Sequence, residues 1–182
     1  MTYRPKLFTG INLDPSTRNI CVLVKRRLEL SGVDARFEKA DKLHITLAFL
    51  GWVDPERVES IDHALREVAA RVAPFSITLD KMSAFPHERN PHIVFIGSRE
   101  KQPGFDALSA QLRSGYERLG FQFPKQAVPH VTIARIKANG VHLPNIDVMP
   151  MTTKVRRITL FESLPAEETT RFEIRAEAEL AG

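Results

Sequence analysis

Apolar positions along the chain follow two periods, near two in some segments and near 3.6 in others, and these periods predict its strands and helices. Leu7 to Leu13 reads as a strand, and Asp14-Pro15 then supplies an N-cap and a proline at the first helical position. Ile20, Leu23, Val24 and Leu28 mark the helix that follows, which Ser31-Gly32 ends. Asp41 to Leu50 is an apolar, β-rich run closed by Gly51, and reads as a buried strand. Asp54-Pro55 repeats the cap before a stripe of Val58, Ile61, Leu65, Val68, Ala69 and Val72 that stops at Pro74. Phe75 to Met82 and His92 to Gly97 read as two strands of a hairpin, with Pro86 to Pro91 as their loop. Phe105, Leu108, Leu112, Tyr116 and Leu119 predict a third helix, ended by Gly120. Val128 to Ile136 is a strand, Lys137 to Pro150 a loop region, and Val155 to Leu164 pairs with Arg171 to Leu180. In the last segment Phe172, Ile174, Ala176, Ala178 and Leu180 alternate with charged residues, which predicts one buried face. The order suits an α+β fold of mainly antiparallel strands, two-lobed, with helices outside and a central cleft between sheets.

Within this pattern one motif occurs twice, as His44-Ile45-Thr46-Leu47-Ala48-Phe49 and as His130-Val131-Thr132-Ile133-Ala134-Arg135. In a strand, His and Thr two positions apart project from the same face, while their apolar neighbours point into the core. Each copy therefore presents an imidazole and a hydroxyl from a rigid support. The chain has six histidines, so a single His-x-Thr is unremarkable. Two copies with apolar second and fourth positions are expected by chance only about two times in a thousand, by composition arithmetic. Two convergent imidazoles suit a reaction that needs a base at one end and an acid at the other, because both protonation states are accessible near neutral pH. Phosphodiester hydrolysis has that demand, and Thr46, Thr132 and Arg135 offer donors for the non-bridging oxygens without a metal.

Composition narrows the setting. With 182 residues and 43% hydrophobic content the chain suits one domain spanning residues 1–182. No run approaches the roughly 18 to 20 apolar residues of a membrane helix, and the Met1 to Lys6 start does not resemble a signal peptide, so a cytoplasmic protein with no membrane partner is expected. Cys21 is the only cysteine and, flanked by Ile20, Val22 and Leu23, reads as a small buried hydrophobe. A net charge of +4 is compatible with a polyanionic partner without demonstrating one. No His-Glu-x-x-His, paired cysteines or acidic residue within either repeat is present, so no metal or cofactor is expected.

The paired motifs, the Asp41-Lys42-Leu43-His44 approach, Phe49-Leu50-Gly51, the Phe8-containing first strand and Leu160-Phe161-Glu162-Ser163 together resemble the two-histidine (2H) phosphoesterases. Within that superfamily the chain is most similar to the RNA 2′,3′-cyclic phosphodiesterase branch, historically named 2′-5′ RNA ligase. The resemblance covers nearly the whole chain. It implies a two-lobed α+β fold and hydrolysis of a 2′,3′-cyclic phosphate RNA end, or a cyclic nucleotide, to a 2′-phosphate. By the same resemblance His130 is the general base, His44 the proton donor, and Thr46, Thr132 and Arg135 the phosphate ligands; a monomer is expected, although the resemblance does not set the oligomeric state.

Arg135 stands five positions after His130, an odd offset that an ideal strand sends to the opposite face, so twist, a bulge or its own length must bring it back. Phe49 has the same offset from His44 and becomes a base-stacking candidate, with Phe8 a second. Val94-Phe95-Ile96 departs from the Leu-Trp-Leu common in the family, with an expected effect on packing alone; His87, Arg89 and His92 are weaker RNA-contact candidates. Reversible 2′-5′ joining or cleavage of RNA, and capture of a nucleotide end without turnover, remain rival readings.

Overall fold

A computed structural model describes residues 3–138, 140–166 and 170–181. Met1, Thr2 and, in the expected loop after Lys137, Asn139 lie outside the described residues. Ten strands and three helices are present among the described residues: β1 (Lys6–Asn12), α1 (Pro15–Leu30), β2 (Ala35–Phe37), β3 (His44–Trp52), α2 (Val58–Ala69), β4 (Phe75–Leu79), β5 (Lys81–His87), β6 (Asn90–Gly97), α3 (Pro103–Glu117), β7 (His130–Ile136), β8 (Met151–Val155), β9 (Arg157–Pro165) and β10 (Thr170–Glu179). All strand pairs are antiparallel. The α+β class expected from the pattern stands.

The main sheet runs β10-β9-β1-β3-β7-β6-β5, with β2 also on β7. Its two halves meet at β3 and β7, where Ile45 pairs with Val131, so each half contributes one His-x-Thr strand to the centre. Backbone hydrogen bonding thus joins what periodicity alone suggests as separate sheets. β4 and β8 form a ribbon of their own. Helix α2 packs on β9, β10 and α3, while α3 reaches β3 and α1 reaches β7 and β8. Leu7, Ile11, Ile45, Leu47, Val131, Ile158 and Leu160 are buried in the shared core. Each such side chain contributes roughly 1.5 to 3 kcal/mol on leaving water.

Local chemistry explains the helix starts. The Asp14 carboxylate accepts from the Thr17 backbone N–H at 2.9 Å and from the hydroxyls of Ser16, Thr17 and Thr153 at 2.6 to 2.8 Å. Burial alone raises its pKa, but these hydrogen bonds outweigh burial and hold the carboxyl well below the usual range. Asp54 behaves differently from its expected repeat of this cap. It makes no capping bond, a 3-10 turn over Pro55–Arg57 intervenes before α2, and its carboxylate pairs with Arg4 at 2.9 Å.

Other differences also have physical causes. The buried stripe of α1 is Thr17, Cys21, Val24 and Leu28, and Leu23 faces solvent, because the polar Thr17 enters the core by bonding Asp14. Cys21 is fully buried as expected, and burial pushes its thiol up to about 12. The strand expected from Asp41 begins at His44, since Ala40–Lys42 forms a 3-10 turn. Phe75 to Met82 is not one strand: the chain breaks at Asp80, β4 pairs with β8, and it is β5 that forms the hairpin with β6. The single buried face expected for the last strand is broken at Arg175. There β10 carries one extra residue between Ile174, opposite Phe161, and Ala176, opposite Leu160. Phe172 and Ile174 consequently share the face of Phe161, whereas Ala176 and Ala178 turn to the core. The extra residue is anchored, with the Arg175 guanidinium 3.3 Å from the buried Glu162 carboxylate.

Candidate active site

Strand register decides which side chains meet. Asn12 pairs with His44, Gly10 with Thr46, and Ile11 with Ile45, so His44 and Thr46 project from one face of β3 and Ile45 from the other. One residue, Leu47, is then skipped, Ala48 pairs with Thr9, and Phe49 pairs with Phe8. This bulge returns Phe49 to the His44 face despite its odd offset. On β7, Gly97 pairs with His130 and Phe95 with Thr132; Ile133 is skipped, and Ile93 pairs with Arg135. The second bulge occupies the same motif position as the first and turns Arg135 to the His130 face. Of the possible causes for that re-aiming, a bulge is the one present.

Both bulged residues are buried, and their carbonyls are satisfied from outside the pair. Leu47 O accepts from Ser109 Oγ at 3.3 Å and Arg113 Nε at 3.1 Å on α3, and Ile133 O accepts from the Glu38 backbone N–H at 2.9 Å. Gly10 is needed beside the first motif. A Cβ there would lie 2.8 Å from Ile45 O and 3.5 Å from the His44 ring.

The two faces line one cavity of about 430 Å³, whose walls include His44, Thr46, Phe49, His130, Thr132 and Arg135. Arg36, Glu38, Lys42, Ile93, Thr170 and Phe172 complete it. Three cations and one carboxylate give the lining a positive balance suited to an anion. Glu38 organises them: Oε1 accepts from Arg135 Nε at 3.1 Å, and Oε2 lies 3.4 Å from Lys42 Nζ. Lys42 also donates to Thr170 Oγ1 at 3.2 Å and sits 5.0 Å from the Phe172 ring centre.

The histidines are held alike. His44 Nδ1 lies 2.7 Å from the carbonyl of Lys42, and His130 Nδ1 lies 2.8 Å from that of Val128, each two residues upstream. A carbonyl only accepts, so each Nδ1 carries a proton and Nε2 is the lone-pair nitrogen of the neutral ring. His44 Nε2 stands 3.1 Å from Thr46 Oγ1. Aromatic rings back both imidazoles: Phe8, Phe172 and Phe161 at 4.9, 5.2 and 6.0 Å from His44, and Phe85 and Phe95 at 5.1 and 5.4 Å from His130.

This burial lowers both pKa values from 6.5. For His44, desolvation is joined by repulsion from His130 and Lys42 and opposed by the Lys42 carbonyl and Glu38; for His130, desolvation is joined by Arg135 and opposed by the Val128 carbonyl.

Phe49 is 55% exposed on the cavity rim, whereas Phe8 is only 4% exposed, stacked on Phe161 at 4.9 Å beneath His44. The stacking reading of Phe8 is therefore corrected, because no face of its ring is open to a base. Phe95 does more than fill the core, since its ring carries His130. His87, Arg89 and His92 do not line this cavity; the first two flank a separate depression on the β5–β6 hairpin. The aromatic backing and the Glu38 bridge escaped the sequence reading, although Lys42 and Phe161 lie within motifs it singled out. Among the described residues no group of three or more His, Cys, Asp or Glu side chains could hold a metal ion, and no helix is long and apolar enough to cross a membrane.

Residues 22–174 match the model of the 2′-5′ RNA ligase superfamily. The chain belongs to this superfamily. Members similar to it include the RNA 2′,3′-cyclic phosphodiesterases of Escherichia coli K12, 34% identical over 94% of each chain, and of Archaeoglobus fulgidus, 33% identical over 78% of each. Among solved superfamily structures, E. coli LigT complexed with 3′-AMP superposes with a TM-score of 0.80 at 28% identity, covering 99% of this chain and 100% of that one. The fold is also that of TT0787 of Thermus thermophilus, with a TM-score of 0.88 at 24% identity, covering 97% and 98%. The superfamily resemblance carried by the two His-x-Thr motifs is thereby established.

Proposed function

We propose that this chain is an RNA 2′,3′-cyclic phosphodiesterase that opens a 2′,3′-cyclic phosphate end to a 2′-phosphate, with His130 as general base and His44 as proton donor. The observation that carries this reading is the matched pair of imidazoles lining one positively charged cavity, each anchored through Nδ1 to the backbone carbonyl two residues upstream, which leaves Nε2 for the chemistry. His130 Nε2 takes a proton from water as the water oxygen bonds to phosphorus. The bond from phosphorus to O3′ breaks, and protonated His44 delivers its Nε2 proton to O3′. A proton passed back to His44 through solvent resets the pair. Thr46, Thr132 and Arg135 donate to the non-bridging oxygens as charge builds on them. The chain works as a cytoplasmic monomer, a single domain over residues 1–182 whose pseudo-symmetric lobes each supply one motif.

Product analysis with a short RNA ending in a 2′,3′-cyclic phosphate, in EDTA, tests the reading. Multiple turnovers to a 2′-phosphate end are expected. A 3′-phosphate product would reverse the roles of the oxygens, binding without turnover would indicate an end-capturing module, and joining of 2′-5′ linked ends would favour the ligase direction.

The lowered pKa values set the pH dependence. The free enzyme requires one neutral and one protonated imidazole, so kcat/KM is bell-shaped, with apparent pKa values belonging to the pair. Because burial lowers both from 6.5, the optimum of kcat/KM is expected on the acid side of 6.5. Bound phosphate favours the imidazolium and moves the kcat optimum to higher pH. Profiles at limiting and saturating substrate check the order; a kcat/KM optimum more alkaline than that of kcat would contradict it.

A further inference from the structure

The face that carries His44 and Phe49 continues beyond the cavity. On the ladder Phe8 pairs with Phe49, Leu7 with Gly51, and Lys6 with Trp52, with Leu50 skipped. Gly51 adopts a φ of 74° beside this second irregularity, a conformation that favours glycine, and Trp52 emerges on the same side as Phe49. The Lys6 ammonium lies 5.6 Å from the centre of the Phe49 ring and 5.7 Å from that of Trp52. Both rings are largely in water, Phe49 at 55% and Trp52 at 62% exposure.

A single exposed aromatic needs no explanation, but two that share one ammonium, on a rigid strand leading out of an anion-binding cavity, form an ordered surface. Rings with open faces take up bases by stacking, regardless of base identity, and a cation between them suits the linking phosphate. We propose that Phe49, Lys6 and Trp52 form a subsite for the nucleotides on the 5′ side of the RNA end, so that the preferred substrate is a single-stranded oligonucleotide rather than a cyclic mononucleotide. The proposal rests on the reading of the cavity as an RNA-end site. Phe49 stacks the base nearest the cavity, Trp52 a base further along, and Lys6 meets the backbone between them. The chain's net charge of +4 complements such a strand.

Trp52 is the only tryptophan in the chain, so its fluorescence reports on this subsite alone. A short single-stranded oligoribonucleotide with a 2′-phosphate end, which is not turned over, is expected to quench that emission, while the matching 2′-phosphate mononucleotide is expected to leave it largely unchanged. In the second measurement, Trp52→Ala lowers the ratio of kcat/KM for the cyclic-ended oligonucleotide to that for the cyclic mononucleotide on the order of tenfold. Quenching by the oligonucleotide in a protein without turnover would keep the subsite and remove the hydrolase reading. Turnover with no quenching and an unchanged ratio would overturn the subsite and leave the hydrolase reading intact. Equal quenching by the mononucleotide would also overturn it, since Trp52 would then belong to the terminal site.

Discussion

Replacing either His44 or His130 by alanine is expected to lower turnover of a cyclic-phosphate-ended RNA by on the order of a hundredfold to ten-thousandfold, the range for loss of a positioned acid or base. The double variant should cost little more than the worse single one, because in the proposed mechanism the two imidazoles serve one proton circuit, and losses within such a unit do not add. The fold should survive. Each histidine stands on a strand whose core contacts come from its neighbours, Ile45 and Leu47 or Val131 and Ile133, all fully buried. Circular dichroism and thermal melts separate a catalytic loss from a collapse of the lobe. The roles themselves are separable with a substrate in which sulfur replaces the departing 3′ oxygen. A thiolate leaves without protonation, so this substrate should restore much of the rate to His44→Ala and little to His130→Ala. Near-normal turnover of the natural oxygen substrate by either variant would refute the acid-base assignment.

The parts of this site that could be read without a structure are those encoded by spacing along a single strand. His44 with Thr46, and His130 with Thr132, share faces because a strand alternates, and their apolar neighbours announce the buried side. Bulges leave no such trace, since an extra residue in one strand is defined only against its partner. The skipped Leu47, Ile133 and Arg175 are, as residues, an ordinary leucine, isoleucine and arginine. Their effect is large nonetheless: they decide the faces of Phe49, Arg135 and Phe172, three lining residues of the cavity. The odd offsets of Phe49 and Arg135 could raise the need for re-aiming, but only the register could identify its cause. For Phe172 the alternation was misleading, because it runs unbroken through Arg175 while the face does not.

Long-range pairing was hidden for a related reason. Met151, Thr153 and Val155 of β8 are buried in alternation, yet two of the strand's five residues are threonines and another is a lysine, so little apolar signal stands out beside Pro150. Periodicity therefore joins β4 to the nearer apolar run in sequence, whereas it pairs with β8. Glu38 lies outside both repeats, so nothing in the sequence marks its carboxylate, and its role as a bridge emerges only with its two cationic partners in place.

Those partners motivate the second large effect. Arg135→Ala is expected to reduce kcat by about a hundredfold to a thousandfold, comparable to removing one preorganised donor from a developing oxyanion. The size of the effect follows from how the side chain is held. The bulge at Ile133 selects its face, the Glu38 backbone N–H bonds the bulged carbonyl, and the Glu38 carboxylate takes Nε. With Nε engaged, the two terminal nitrogens are left for the phosphate of the proposed substrate, whose non-bridging oxygens gain charge as water adds. A larger loss in kcat than in substrate affinity is therefore expected. Lysine should recover only part of the rate, because a point charge cannot bond Glu38 and grip two oxygens at once. Glu38→Gln provides the internal comparison: it keeps an acceptor for Nε, so it should cost less than Arg135→Ala, and it removes the carboxylate that favours the protonated form of His44. The limb of the pH profile on which His44 loses its proton should accordingly move to lower pH in Glu38→Gln than in the parent. If Arg135→Ala instead raised KM and left kcat unchanged, the guanidinium would be binding substrate and transition state alike, and its place would be in capture of the RNA end rather than in the chemical step.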